Sequence, residues 1–403
     1  MLAVLDALRK GLNLLPTATR PLRRLTLGLG ALGLVAACEP IAATGPSGPQ
    51  IDPNRPVQVA MLLPSGSGQS GDVALATSLE NAARLAVADL GAVRIDLRIY
   101  DTAGNPGQAA QQATRAVNEG AQIILGPVFA ESARAAGAAV AGTGVPVLSF
   151  SNNPRVAGGN VFVMGPTFDN TARRLVAYSM AQDKRRFLTV SERNESGEVG
   201  REAIARAVAN AGGMMAGTED FAFSQQGVVE AVPRIAESAR AGGAEAIFFT
   251  SNTAGALPLL MQLLPENRTG PDRFQYIGLT RWDIPVAILE LPGVQGAWFA
   301  LPDPAMTRAF NSRYAAAHGS DPHPIAGLAY DGIAAVGALV RSGRPDALSR
   351  AGLTQAQGFA GVSGVFRLLP DGTNERGLAV AQIRDREVIV IDPAPRSFVG
   401  PGF

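Results

Sequence analysis

From residue 56 onward, short apolar runs alternate with longer segments whose apolar residues recur at helical spacing. The runs at 57–63, 95–100, 122–125, 145–150 and 161–164 are predicted strands, and most are nearly continuous in Val, Ile, Leu and Phe. Strands of that kind are covered on both faces, as in parallel sheets. Between them, 75–90, 106–118 and 130–141 carry an Ala-rich amphipathic pattern that predicts helices. The alternation restarts after 164, with helices over 169–181, 198–211, 228–241 and 254–264. Strands over 187–190, 218–221, 246–250, 275–279 and 296–300 accompany them. Helices over 305–318 and 325–342 and a strand over 388–391 complete the pattern. Two rounds of strand and helix predict an α/β fold of two similar doubly wound parallel-sheet lobes.

Composition narrows the function. The 403 residues are 47% hydrophobic and 17% charged, enough for large cores. A formal net charge of +1 supplies no broad basic field, so no nucleic-acid partner is expected. One Cys excludes an intramolecular disulfide and a Cys-based metal site, and two His make a multi-His centre improbable.

The first forty residues read as an address. Arg20, Arg23 and Arg24 precede an uncharged stretch over 25–37, shorter than the ~18 residues that span a bilayer. A basic segment followed by a short apolar run and small residues predicts a signal peptide over 1–37. Leu34-Val35-Ala36-Ala37-Cys38 resembles the bacterial lipobox, which implies lipidation of Cys38; a buried Cys in an apolar helix is the alternative. Residues 38–55 then read as a flexible Pro/Gly/Ser/Thr tether. Glu39 behind the lipidated Cys favours, by the sorting rule of lipoproteins, the periplasmic face of the outer membrane, with the inner membrane open.

Enzyme motifs are weak, and neither catalysis nor a cofactor is expected. Gly66-Ser67-Gly68-Gln69-Ser70-Gly71 fits the dinucleotide fingerprint, but Asp101 stands well beyond the ~20-residue spacing to the ribose acid. His318 and His323 bracket Asp321, but Pro322 and Pro324 make that stretch a turn rather than a metal site.

Motif order resembles the type I periplasmic binding proteins, in particular the leucine/isoleucine/valine-binding group. The resemblance rests on Pro64 and the loop Ser65-Gly66-Ser67-Gly68, Asn81-Ala82-Ala83-Arg84-Leu85-Ala86, Tyr100-Asp101-Thr102, Gly126-Pro127, Val145-Pro146-Val147-Leu148-Ser149 and Tyr330-Asp331-Gly332. It implies two lobes joined by three crossovers, lobe 1 holding 56–165 with 300–360 and lobe 2 holding 166–299 with 361–403. It also implies a ligand cleft between the lobes, near Ser65 and Ser67 of the first loop. Where relatives place a Ser for the ligand carboxylate, this chain has Phe129 and Ala130. Ser151, Asn152 and Asn153 occupy the place of a ligand-holding Thr, with Ser149 before them as a further candidate contact, or else the stretch 149–153 caps the next segment. Ser196 stands where a Tyr closes over the ligand. Trp282 and Asp283 follow a strand end, where Trp282 would stack on a ligand, anchor a partner or pack between the lobes.

Ser149-Phe150-Ser151-Asn152-Asn153 and Gly278-Leu279-Thr280-Arg281-Trp282-Asp283 are also similar to alphaproteobacterial lipoproteins of this fold that activate penicillin-binding proteins. That resemblance implies a non-catalytic activator of peptidoglycan synthesis whose partner is a class A penicillin-binding protein. The alternative is the solute-binding component of an ABC transporter for amino acids, amides or another small ligand. On either reading, the membrane is met through the lipid anchor alone.

Overall fold

The first apolar run forms β1 (Val57–Leu63) near the middle of a parallel five-stranded sheet in the computed structural model, which describes residues 48–52 and 54–398. β2 (Ile95–Asp101), β3 (Ile123–Leu125), β4 (Val147–Ser149) and β5 (Val161–Val163) complete the order β2-β1-β3-β4-β5. The helices between them are α1 (Ser70–Asp89), α2 (Pro106–Asn118) and α3 (Ala130–Val140). α2 and α3 cover one face through small residues, Ala109, Ala113, Ala133 and Ala136, all fully buried. Asn105 starts α2 by accepting the Gln108 amide at 3.0 Å, with Pro106 at the first helical position.

The chain then crosses to a second sheet. α4 (Phe168–Ala181), β6 (Arg186–Glu192), α5 (Glu195–Asn210), β7 (Met214–Phe221), α6 (Gln225–Ala241), β8 (Ala246–Phe249), α7 (Leu257–Glu266), β9 (Gln275–Gly278) and β10 (Trp298–Leu301) repeat the winding. It returns to pack α8 (Pro304–His318), α9 (Gly327–Arg341) and the short α10 (Arg350–Leu353) on lobe 1. Ile333 and Val336 of α9 meet Leu79 and Ala83 of α1 in one buried cluster over the sheet. A small antiparallel sheet of β11 (Phe359–Gly361), β12 (Gly364–Leu368) and β13 (Asn374–Arg376) precedes the last crossing. β14 (Ala379–Arg384) and β15 (Glu387–Asp392) then extend the second sheet antiparallel, in the order β15-β14-β10-β9-β8-β6-β7.

Three differences from the sequence reading have physical causes. α1 begins at Ser70 rather than 75, because its first turn faces solvent and carries no apolar period. Residues 361–376 stay with lobe 1, since Phe366 and Leu368 are buried in its core and the chain reaches lobe 2 only near Leu378. The segment read as tether is docked at its end: Ile51 is buried in lobe 1, its amide donating to the Pro345 carbonyl at 2.7 Å, while the Gln122 side chain donates to the Gln50 carbonyl. Cys38, the signal segment 1–37 and most of that tether lie outside the described residues. No helix among the described residues is long and apolar enough to cross a membrane.

Candidate functional site

Strand order locates the cleft. In lobe 1 the order turns back between β1 and β3, and in lobe 2 between β6 and β8. Ligands of open α/β sheets sit outside the strand carboxyl ends at such switch points. On lobe 1 these ends are Pro64-Ser65 and Gly126-Pro127. Gly126 has φ +83°, and a side chain there would begin 2.4 Å from the Leu62 carbonyl, so only glycine lets the two strand ends lie this close. Ser65 is half-buried with its carbonyl held by the Ala103 amide, and Ser67 accepts the Gln69 amide at 3.1 Å. Phe129, 37% exposed, and Ala130 open α3, whose first amides have no side-chain cap; the start of α1 is uncapped as well.

After β4 the polar side chains turn inward on their own backbone. Ser149 is fully buried, donates to the Pro127 carbonyl at 2.9 Å and accepts the Ser151 amide at 3.1 Å. Ser151 accepts the Asn153 amide, and Asn153 accepts the Arg155 amide at 2.9 Å. This chain of two-residue turns uses Ser149 and Ser151 to shape the loop and removes the buried Ser149 as a ligand contact. Asn152 remains exposed.

The loop faces the start of α5 across the lobes. Asn152, Asn153 and Pro154 from lobe 1 and Phe168, Glu195, Ser196 and Val199 from lobe 2 line one cavity of about 220 Å3. Arg155 and Glu195 bridge its edge at 3.2 Å, an exposed pair worth ~1 kcal/mol or less. Three of the sequence candidates, Asn152, Asn153 and Ser196, are therefore neighbours in space.

Trp282 is not at the cleft. It is fully buried, packed beside Phe249 at 5.9 Å between ring centres and folded over Gly278, where a side chain would begin 2.4 Å from its indole nitrogen. It can neither stack on a ligand nor anchor a partner. Asp283 pairs with Arg281 and lines a separate cavity with Pro302, Thr307 and Val388.

Residues the sequence did not single out occupy the lobe 2 switch point. Glu192 ends β6 and is 8% exposed; the Asn194 side chain donates to its Oε2 at 3.0 Å, while Oε1 has no protein partner. Ser251, fully buried, lies two residues past the last rung Val190↔Phe249, and its hydroxyl is also unbonded. Glu192 lines a cavity of about 330 Å3, and Phe223, 62% exposed, lines one of about 370 Å3 between the starts of α6 and α7. A charged residue ending an apolar strand was the available signal for Glu192.

Other expectations resolve simply. Asp101 leans over Gly66, its Oδ2 standing 2.3 Å from where a side chain there would begin, so the carboxylate fills the turn that a pyrophosphate would need. His318 packs on Tyr314, and the amide of His323 donates to Ser78; burial lowers the His323 imidazole pKa. Among the described residues no three His, Cys, Asp or Glu converge as metal ligands.

A chain with two wound lobes, three crossings and a cleft at both switch points has the type I periplasmic-binding-protein fold. The periplasmic binding protein family model matches residues 56–387, and the chain belongs to that family. Membership implies a periplasmic location, and the family binds solutes and is in general not catalytic. A comparison with curated proteins gives no match. Among solved structures, a protein described as a branched-chain amino acid ABC transporter from Rhodospirillum rubrum is similar, with TM-score 0.70, 19% identity, and 84% of this chain and 100% of that chain covered. An ABC transporter substrate-binding protein of Desulfitobacterium hafniense in complex with Leu gives 0.61, 17%, 84% and 100%. A solute-binding protein of an ABC transporter from Rhodopseudomonas palustris BisB5, in complex with 3,4-dihydroxybenzoic acid, gives 0.58, 16%, 86% and 98%.

Proposed function

We propose that this chain is a periplasmic solute receptor serving an ABC transporter and that it closes its lobes on a small molecule. The observation that carries the reading is the cavity built jointly by Asn152, Asn153 and Pro154 of one lobe and Glu195, Ser196 and Val199 of the other. At about 220 Å3 it suits a small solute. The uncapped starts of α1 and α3 on the lobe 1 side offer free amides to an anionic group, such as a carboxylate. The similar structures from Desulfitobacterium hafniense and Rhodopseudomonas palustris hold leucine and 3,4-dihydroxybenzoic acid, both small carboxylates.

The comparisons favour this reading over activation of a penicillin-binding protein. The activator reading drew on a lipid anchor at Cys38 and an outer-membrane position, both outside the described residues. It also used Trp282 as a partner anchor, and that residue is buried.

The test is a thermal-unfolding panel of amino acids, amides and aromatic carboxylates on the purified protein. A bound solute at a hundred times its Kd raises stability by ~2.7 kcal/mol. A saturable rise with one chemical class supports a receptor. Silence across the panel, together with retention of a class A penicillin-binding protein on the immobilised chain, contradicts it.

A further inference from the structure

A second cavity, of about 300 Å3, opens where the chain crosses from β10 to α8, and it has no lining residue in common with the one shared by Asn153 and Ser196. Leu301 and Pro302 of that crossing line it, together with Val388 and Val390 of β15 in lobe 2 and Thr307 and Arg308 of α8 on lobe 1. Two groups in it are left unmatched by the rest of the chain. Arg281 and Asp283, which also line it, pair with each other and cancel. Arg308 is exposed, and its guanidinium has no ion-pair or hydrogen-bond partner among the described residues. The cavity therefore keeps one uncompensated positive charge.

The Thr307 hydroxyl is buried and bonds no protein group. A helical Thr can donate to the carbonyl four residues earlier, as Thr77 does to Val73 at 2.9 Å and Thr114 to Ala110 at 3.0 Å. Thr307 makes no such bond. The first amides of α8 add nothing to the cavity, because the Asp303 side chain accepts those of Ala305 and Met306 and its carbonyl accepts that of Thr307. A free guanidinium fork matches the two oxygens of a carboxylate. An unmatched hydroxyl gains from an acceptor, and the apolar residues gain from covering a hydrocarbon body.

We propose that this cavity is a second binding site, which takes a small organic monoanion: a carboxylate carried on an apolar body. Arg308 holds the carboxylate, Thr307 donates to it, and Leu301, Val388 and Val390 pack on the body. The single uncompensated charge matches one negative charge. The site goes beyond the solute-receptor reading and does not depend on it. Since α8 belongs with lobe 1 and β15 with lobe 2, the occupant touches both lobes.

The experiment is calorimetric titration of hexanoate, with hexanamide as the neutral probe of the same shape, acetate as the anion without the body, and hexylammonium as the cation. Each is titrated into the unmodified protein and into Ser196→Trp, which fills the other cavity. Hexanoate binds both proteins, at one per chain in Ser196→Trp, and at least tenfold more tightly than hexanamide or acetate; hexylammonium does not bind. Adding Arg308→Gln to Ser196→Trp weakens hexanoate at least tenfold, and adding Thr307→Val weakens it at least threefold, with unfolding temperatures unchanged.

Equal affinity for hexanoate and hexanamide, or unchanged binding after either added substitution, overturns the inference. So does loss of hexanoate binding in Ser196→Trp, which would place the anion in the other cavity, and so does no binding by the unmodified protein.

Discussion

Arg376 reaches Asp331 at 3.4 Å, and both side chains are buried where the last crossing leaves lobe 1. Asp331 also accepts the Val362 amide at 2.7 Å, and Arg376 donates to the Met164 carbonyl and stacks over Phe366 at 5.1 Å. Beside them, Asn374 donates to the carbonyls of Val163 and Gly165, and Asn170 joins Asn374 to the Arg376 amide. The first and third crossings are thus laced together and braced on α9. Burial pushes the Asp331 carboxyl up and the Arg376 guanidinium down, and their pairing opposes both shifts. Breaking a buried pair leaves one charge uncompensated, at ~3–5 kcal/mol. Asp331→Asn should therefore destabilise the protein by about that amount in urea unfolding. Asp331→Asn with Arg376→Met should cost less than the sum of the single changes. Additive losses would contradict the pairing.

Trp282→Ala should cost ~3–5 kcal/mol of stability, the range for emptying a buried aromatic site. Trp282→Phe should retain solute affinity, because no part of the ring reaches the cleft. A well-folded Trp282→Ala protein that lost only binding would contradict the burial.

Asp89 links three helices of lobe 1, accepting from Arg313 of α8 and from Tyr330 of α9. Burial alone would raise its carboxyl, but the hydrogen bonds from Arg313 and Tyr330 outweigh it and hold the pKa below the ordinary value. A depressed folded-state pKa gives stability that is present above the unfolded value near ~3.9 and is lost as pH falls through the folded value. Unfolding free energy measured from pH 6 to pH 2 should therefore drop less steeply in Asp89→Asn than in the unmodified protein. Parallel curves would show that Asp89 contributes nothing to the acid limb.

Thr189 is fully buried in mid-β6, and its hydroxyl bonds no protein group. Thr189→Val replaces that hydroxyl by a methyl of similar shape and should leave stability unchanged or raise it by ~1 kcal/mol. A loss above ~1 kcal/mol would mean that the hydroxyl is satisfied.

The strands of both lobes were legible because runs such as Val57–Leu63 are apolar on both faces and announce a covered parallel sheet. The small sheet of β11 to β13 was not, since three- to five-residue strands rich in Gly and Arg carry no period. Motif order named Asn152, Asn153 and Ser196 as candidates, and the three line one cavity. Ser149 misled because a hydroxyl beside a strand end looks the same in sequence whether it faces a ligand or the Pro127 carbonyl. Trp282 misled because its burial depends on Gly278, four residues earlier, leaving room for the indole. Glu192 went unnoticed since its missing hydrogen-bond donor is a property of its surroundings, absent from any local pattern.

The central claim is that a small solute binds in the cavity shared by Asn153 and Ser196. Its most direct test is calorimetric titration of a solute found in the panel into the unmodified protein and into Ser196→Trp, whose indole would fill that exposed cavity without touching a core residue. Saturable binding at one site per chain, lost in Ser196→Trp while its unfolding temperature is unchanged, is the predicted result. Equal binding by both proteins, or no solute bound by the unmodified one, would contradict it.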